Sequence, residues 1–447
     1  MIANMPSKSP WGHLGKHPAL SPLSFFASVL LIILLCEPAF AFKSPCVNPG
    51  GKAGCFSTIA AAVAAASPGS IIKVAAGIYK EDVVIGKPLS LIGADSSDVI
   101  IDATGLSNGI YVDGLDNPGL RNVVVSGFTI ENANYEGVLI TNATNITIKG
   151  NRVLDNDTGL NIDEDTCPGQ PPFESGEDFD CGEGVHLLGV NYSTLANNVI
   201  EGNSGGILLS DDTGETHDNL ITGNLVKGNP YDCGITLASH APGLNSSAPH
   251  LGVVRNTVVD NQSIHNGYLV PGAGAGVGIF ADGSGIGLVH GNLVIHNELL
   301  NNGIPGVAFH SHVGPNFGLP ADDLNNNVIV GNHISGNGAD VGDTPTPGPT
   351  GINLNSGGGG TTITGTVIWG NVIENEAVDV AINTPADVDL HFNNLLGDEV
   401  GVDNLGSGAI SATNNYWDCF AGPGSQKCSS VSGTGVTFVP FLRLPLP

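Results

Sequence analysis

From about residue 120 onward one phrase recurs: an apolar alternation, then Gly-Asn or Asn-Asn, further apolar residues, an Asn, and then Gly-Ile-x-Leu or a close variant. Copies include Lys149-Gly150-Asn151-Arg152-Val153 with Gly159-Leu160-Asn161-Ile162, and Thr222-Gly223-Asn224-Leu225-Val226 with Gly234-Ile235-Thr236-Leu237. Later ones are Gly291-Asn292-Leu293-Val294 with Gly306-Val307-Ala308-Phe309, and Gly331-Asn332-His333-Ile334 with Gly351-Ile352-Asn353-Leu354. Asn at 198, 224, 371, 394 and 415 gives separations of 26, 23 and 21 between neighbours, with gaps of 32 to 47 elsewhere. A unit of ~20 to 26 residues interrupted by loop insertions fits this spacing.

Apolar alternation over three to five positions describes short strands with one buried face, too short and too often broken by Gly for helices. Three such strands cannot bury their apolar faces alone, but stacked units can, each coil pairing in parallel with the next. An Asn recurring at one turn can take the left-handed conformation while its amide joins a ladder along the stack. The expected fold is therefore all-β, a single-stranded right-handed parallel β-helix. A propeller needs ~40 residues per blade with strong aromatic signatures, and aromatics make up only 6% of this chain.

Composition agrees. Of 447 residues only 13% are charged, against 64 Gly and 28 Pro, which no helical bundle would carry. Lys and Arg total 14 against 42 Asp and Glu, a net charge of −28. Such a surface repels polyanions and lacks the cations that hold phosphate, so nucleic acid is excluded as a partner. The 41% of apolar residues is enough for a large core, so the acidity does not signal disorder.

Lys8 and Lys16, the apolar run at residues 25–35 and Ala39-Phe40-Ala41 have the order of a secretory signal, with cleavage expected after Ala41. Residues 42–447 then form one β-helix domain, secreted or periplasmic and not integral to a membrane. Seven Cys remain, and their spacing pairs Cys46 with Cys55, Cys167 with Cys181 and Cys419 with Cys428, leaving Cys233 as a buried thiol. An open stack needs covered ends. A short helix from Ile59 through the Ala-rich run, halted by Ser67-Pro68-Gly69, is expected to plug the N-terminal mouth, and the segment around Trp417 the other.

At this point a resemblance appears. Cys55-Phe56-Ser57-Thr58-Ile59, Pro68-Gly69-Ser70 and Ala76-Gly77-Ile78-Tyr79 resemble the opening segment of pectin-lyase-like β-helix proteins. The Gly-Asn and Gly-Ile-x-Leu units resemble repeats shared by polysaccharide lyases, pectin-active hydrolases, uronate epimerases and the copper-maturation protein NosD. The resemblance covers roughly residues 45 to 420. It implies a monomeric protein that binds or processes polysaccharide or a cell-surface glycan, or else a non-catalytic β-helix with a NosD-like metal-binding or adhesive role. One scaffold carries many reactions.

Loops held by a rigid scaffold are the usual place for function. Insertions near residues 164–183, 240–250, 311–323 and 339–350 are expected to leave the coil after the Gly-Ile-x-Leu strand. Aligning strands on Gly159, Gly206, Gly234, Gly276 and Gly306 makes a column of Asp165, Asp212, His240, Asp282 and His312, ~4.8 Å apart along the stack. Gly184-Val185-His186-Leu187 interrupts it and contributes Val190. Asp211, Asp212 and Asp282 are candidates for the acid and base of glycoside hydrolysis. Alternatively His240, His310 and His312, with Asp282, are candidates to bind a divalent metal. The plain alternative is that these side chains cap loop backbone. Between Asp163 and Glu183 eight carboxylates gather: Asp163, Glu164, Asp165, Glu174, Glu177, Asp178, Asp180 and Glu183. They suit Ca²⁺ or a solvated acidic loop, with no EF-hand spacing.

Polygalacturonases carry Asn-x-Asp, Asp-Asp, Gly-His-Gly and Arg-x-Lys on successive coils. Asn161-Ile162-Asp163, Asp211-Asp212 and Ser239-His240 are similar to the first three, but no Arg-x-Lys exists. With Arg only at 121, 152, 255 and 443, a neutral glycan is the expected ligand. Tyr192, Tyr231, Tyr268 and Phe317 are the candidates for stacking on sugar.

Overall fold

Each circuit of the chain consists of three short strands separated by corners, and each corner is written in two residues. The computed structural model describes residues 45–447 apart from 165, 174–180, 241–251, 282–286, 312–321, 343, 358–361, 398 and 426. One circuit runs through Thr194–Ala196, Val199–Glu201 and Ile207–Ser210 and returns at Leu220–Thr222, which pairs in parallel with Thr194–Ala196. Repetition builds three long parallel sheets, called A, B and C in that order. Among the described residues they have 14, 11 and 12 strands. Parallel crossovers within one sheet are right-handed almost without exception, and the chain is a right-handed parallel β-helix, as its repeat predicts.

The corners show why Gly-Asn recurs. The residue before the Asn takes the left-handed conformation: Gly223 (φ 64°) before Asn224 and Gly370 (φ 67°) before Asn371. Elsewhere Asp260, His296 and even Phe392 accept the same strained φ. The following Asn is carried inward, shielded from water, and its amide joins the stack. The sequence expectation gave both jobs to one Asn; the structure divides them between neighbours. The A-to-B ladder runs Asn151, Asn198, Asn224, Asn261, Asn297, Asn332, Asn371, Asn393, Asn415, each side-chain amide donating to the next at 2.9–3.2 Å. Its member near the C-terminus is Asn393 rather than the expected Asn394, giving two steps of 22 residues. The preceding residue, Phe392, hid the signature because it is not Gly or Asn.

Two more ladders follow the other corners. Ser193, Asn219, Asn256, Asn292 and Asn327 stack between sheets C and A. Between B and C stand Asn156, Asn203, Asn229, Asn266, Asn302 and Asn337, ending on Glu376.

Inside the cylinder, most short strands of sheets A and B send the middle side chain into one continuous apolar core, as with Val294, Ile329 and Ile368. Sheet C differs: strands such as Val185–Leu188, Ile207–Ser210 and Ile235–Ser239 are buried at every position, so its outer face is covered too.

The insertions enter the chain next to sheet C strands, with a correction to their expected places. Residues 240–250 and 311–323 do follow sheet C strands, but residues 167–181 and 339–350 lie between sheets B and C. Insertions therefore both precede and follow sheet C strands along the chain. Residues 159–162 are not a strand: Asn161 makes an antiparallel bridge to Thr166 inside the first insertion. The strand that joins sheet C is Val185–Leu188, in register with Ile207–Ser210. Its register glycine is Gly184, because the insertion separates Gly159 from the coil it was expected to open.

The ends are closed as expected. Helix Ile59–Ala65 begins at Thr58, whose hydroxyl accepts from the Ala61 amide, and the Glu81 carboxylate accepts the Ile59 and Ala60 amides at 2.8 Å. Trp417 is fully buried at the other end. Cys46–Cys55, Cys167–Cys181 and Cys419–Cys428 are the three disulfides, and Cys233 is a buried free thiol. Among the described residues no helix is long and apolar enough to cross a membrane.

Candidate functional site

The outward side chains of sheet C form two columns, two residues apart along each strand. One carries His186, Leu208, Thr236, Gly278, Ala308 and Asn353; the other carries Leu188, Ser210, Ala238, Phe280, His310 and Asn355. Just past the second column, where Ile207–Ser210 and Ile235–Ser239 end, three ionisable side chains meet. Asp211, Asp212 and His240 are 2%, 3% and 5% exposed.

Asp211 is a fixture of the loop. One oxygen accepts the His240 backbone amide, the other the Ser239 hydroxyl and the Gly252 amide, all at 2.9 Å. It thus ties both ends of the 240–250 insertion to the neighbouring coil. Burial pushes its carboxyl up to about 6; Asp212 adds to the rise, while Ser239, Gly252 and His240 oppose it. Of the two sequence readings, loop capping describes Asp211 better than proton transfer. Asp211→Asn should lower the unfolding free energy by about 2–3 kcal/mol, because the new NH₂ must face a buried donor. Urea denaturation checks this, and an unchanged midpoint would contradict it.

Asp212 is placed differently. Its Oδ2 lies 3.1 Å from His240 Nδ1. A carboxylate at Nδ1 favours the tautomer that holds its proton on that nitrogen and fixes the orientation of the ring.

The other expected residues divide clearly. His310 is 5% exposed and its ring stacks on Phe280 with centroids 4.1 Å apart. By register it stands two coils from Ala238, itself two residues before His240. That puts its backbone position ~12 Å from that of His240 by strand geometry. Asp165, Asp282 and His312 lie outside the described residues, as do Glu174, Glu177, Asp178, Asp180 and Phe317. Among the described residues no group of three or more His, Cys, Asp or Glu side chains is arranged to hold a metal ion. The polygalacturonase-like series is corrected too. Asp211-Asp212 and Ser239-His240 do occupy successive coils, but Asn161-Ile162-Asp163 is in the insertion, and the coil before Asp211-Asp212 carries Gly189-Val190 in register with them.

Several site residues escaped the sequence reading. His186 Nε2 is 2.7 Å from the Ser210 hydroxyl and its Nδ1 is 3.5 Å from Glu136, all three buried. Asp322 accepts the Ser311 hydroxyl and, at 2.9 Å, the Gly287 amide. This repeats the bond between Asp211 and Ser239. The signal was a Ser ending a sheet C strand, at 239 and 311, with an Asp beside it at one end of a connection: Asp211 opens the connection of the preceding coil, and Asp322 closes the one that follows Ser311. Of the aromatic candidates, Tyr192 sits edge-on to His217 in a left-handed corner, and Tyr268 is 44% exposed and stacked on His265.

Residues 92–251 match the family described as right handed beta helix region. No curated protein matches significantly. Among solved structures, an alginate lyase from a Paenibacillus species is 12% identical, with 84% of this chain and 95% of that one covered and a TM-score of 0.41. The catalytic unit of a GH87 alpha-1,3-glucanase from Streptomyces thermodiastaticus is 15% identical, covering 85% and 65%, with a TM-score of 0.46. The A-module of the Azotobacter vinelandii mannuronan C-5 epimerase AlgE4 is 13% identical, covering 83% and 88%, with a TM-score of 0.42. At these values the likeness carries no information about chemistry.

Proposed function

We propose that this exported β-helix binds a neutral polysaccharide beside sheet C, where the insertions leave the coil, and hydrolyses it with Asp212 and His240 as an acid–base pair. The observation that supports this reading is the hydrogen bond between the two side chains, at the ends of sheet C strands, next to which the insertions enter the chain. Asp212 orients the imidazole and offsets its charge when protonated, while Nε2 carries the proton to the leaving oxygen. The second group, which activates water, is assigned to Asp282, following a strand that ends in register with Ser239. Glycan length suits a scaffold whose binding positions repeat at ~4.8 Å.

Charge favours a neutral substrate. No Arg lies in a sheet C strand. Arg255 sits on the C-to-A corner, paired with Asp218 at 2.9 Å and half exposed. A uronan would meet a chain of net charge −28, with no Arg in the described sheet C strands to neutralise its carboxylates. Export through a leader at residues 1–41 accords with the three disulfides, which persist in oxidising compartments.

The test is reducing-end release across a panel of neutral glycans. Asp212→Asn and His240→Ala should each lower the rate by ~10²-fold or more without altering the thermal midpoint by more than a few degrees. Glycan binding without turnover in the unaltered chain would remove the hydrolase and leave a binding module. Neither binding nor turnover would remove both.

A further inference from the structure

On the opposite flank, sheet A carries a surface that the sheet C site does not use. In Leu293–Ile295, Val328–Val330 and Val367–Trp369 the middle residue enters the core and the outer two face away from it. The outward residues are Leu293, Ile295, Val328, Val330, Val367 and Trp369, without a single charge or hydroxyl. On the same three coils sheet B turns out Glu298, Leu300, His333, Ser335, Val372 and Glu374, the mixture expected of a wetted face. Trp369 is 50% exposed and stacks on Phe392 with centroids 5.1 Å apart at 23°. One coil further on, in register, Asp389 follows Val367 and His391 follows Trp369. Asp389 is largely exposed, and the His391 ring is fixed by a 2.9 Å bond from Nδ1 to the Thr413 carbonyl.

We propose that this strip is a second glycan-binding site, at which a neutral polysaccharide lays the apolar face of its sugar rings on Trp369 and the aliphatic rows while Asp389 accepts hydroxyl bonds. The dimensions select this occupant. Three coils span roughly 15 Å and the two columns lie about 7 Å apart, far below the ~800 Å² per partner that a stable protein interface buries. A narrow linear ligand fits where a second copy of the chain does not. The absence of Lys and Arg on the strip turns away polyanions and anionic membranes. A rigid indole beside a carboxylate meets both faces of a sugar, its C–H surface and its hydroxyls. The site shares a ligand class with the sheet C reading but needs neither Asp212 nor His240, and it would retain the polysaccharide on the protein without taking part in the reaction.

Binding is read by tryptophan emission during titration with soluble neutral glucans and mannans, and by co-sedimentation with insoluble glucan. Trp11 lies in the leader that export removes, and Trp417 is fully buried and remains in both chains, so Trp369→Ala serves as the blank. The expected result is an emission change and protection from acrylamide in the unaltered chain, both lost in Trp369→Ala, with co-sedimentation weakened at least tenfold. Ile295→Ser, which keeps the indole and leaves the core untouched, should weaken binding several-fold. Asp212→Asn should bind with the full emission change, so failure of the strip and failure of the acid–base pair are distinguishable. The proposal falls if Trp369→Ala binds like the unaltered chain, if no glycan shifts the emission, or if the strip proves to mediate a concentration-dependent dimer in sedimentation.

Discussion

Replacing Asn297 by Ala should cost about 4 kcal/mol of stability, a large share of the total for a chain that depends on repeated small units. Asn297 Oδ1 accepts both the backbone and side-chain amides of Asn261, and its own amide donates to Asn332 and to the Val258 carbonyl. Ala would leave these buried partners facing a methyl group, each unsatisfied group costing about 1–3 kcal/mol less whatever water can recover. Because each coil touches only its neighbours, the loss also weakens the coupling between two halves of the stack. Equilibrium denaturation should show the lower midpoint, and a second, earlier transition is expected if the halves separate. Asn325→Ala offers the control: its side chain contacts the exposed Thr364 rather than a ladder, and it should shift stability by under 1 kcal/mol. Equal effects of the two would contradict a structural role for the ladders.

Glu376→Gln should stabilise the protein at neutral and alkaline pH and flatten its pH dependence. Glu376 is fully buried where the B-to-C ladder would place another Asn, accepting two 3.0 Å bonds from Asn337. Burial pushes its carboxyl from 4.5 up to about 7, opposed by the Asn337 bonds. Between pH 4.5 and 7 the folded chain holds a proton that the unfolded chain has released. Stability attributable to this group is therefore complete below about 4.5 and falls as pH rises to about 7, by roughly 3 kcal/mol in all. Gln retains the acceptor for Asn337 and cannot ionise. The difference between variant and unaltered chain should grow across that window and level off above it. Parallel stability curves through the window would show that Glu376 does not titrate in this way.

The fold was legible because its instructions repeat. Gly223-Asn224, Gly291-Asn292 and Gly370-Asn371 announce a corner each time, and the following apolar alternation announces the next strand. Reading failed where one member of the pair changed identity. Phe392 carries the left-handed turn before Asn393, which shifted the apparent ladder by one residue. Gly159 imitates a register glycine inside an insertion, while Gly184 performs that role. The site was half legible. The alignment of Gly206 with Gly234 brought Asp212 to His240, but it could not separate the capping role of Asp211 from the pairing role of Asp212. Those roles depend on which donors the returning insertion presents. Glu136, His186 and Ser210 were out of reach for the same reason: their contact runs across three coils, diagonally, and no spacing along the chain encodes a diagonal. Trp369 was passed over because the repeat marks it only as an outward position, without saying which of three sheets stays bare.

The ladders also give the cylinder an electrical direction. Asn224 donates to Asn261, Asn261 to Asn297 and Asn297 to Asn332, always toward the C-terminal coils. Side-chain amides have the same kind of dipole as peptide units, whose head-to-tail sum polarises an α-helix. Three such files aligned along one axis make the C-terminal end of each file electropositive, an axial field built from side chains. In the B-to-C file that end is occupied by a carboxyl group. Glu376 thus stands toward its column of amides as an acidic residue stands toward the first turn of a helix, which accounts for an ionisable group being tolerated at the base of an otherwise neutral file.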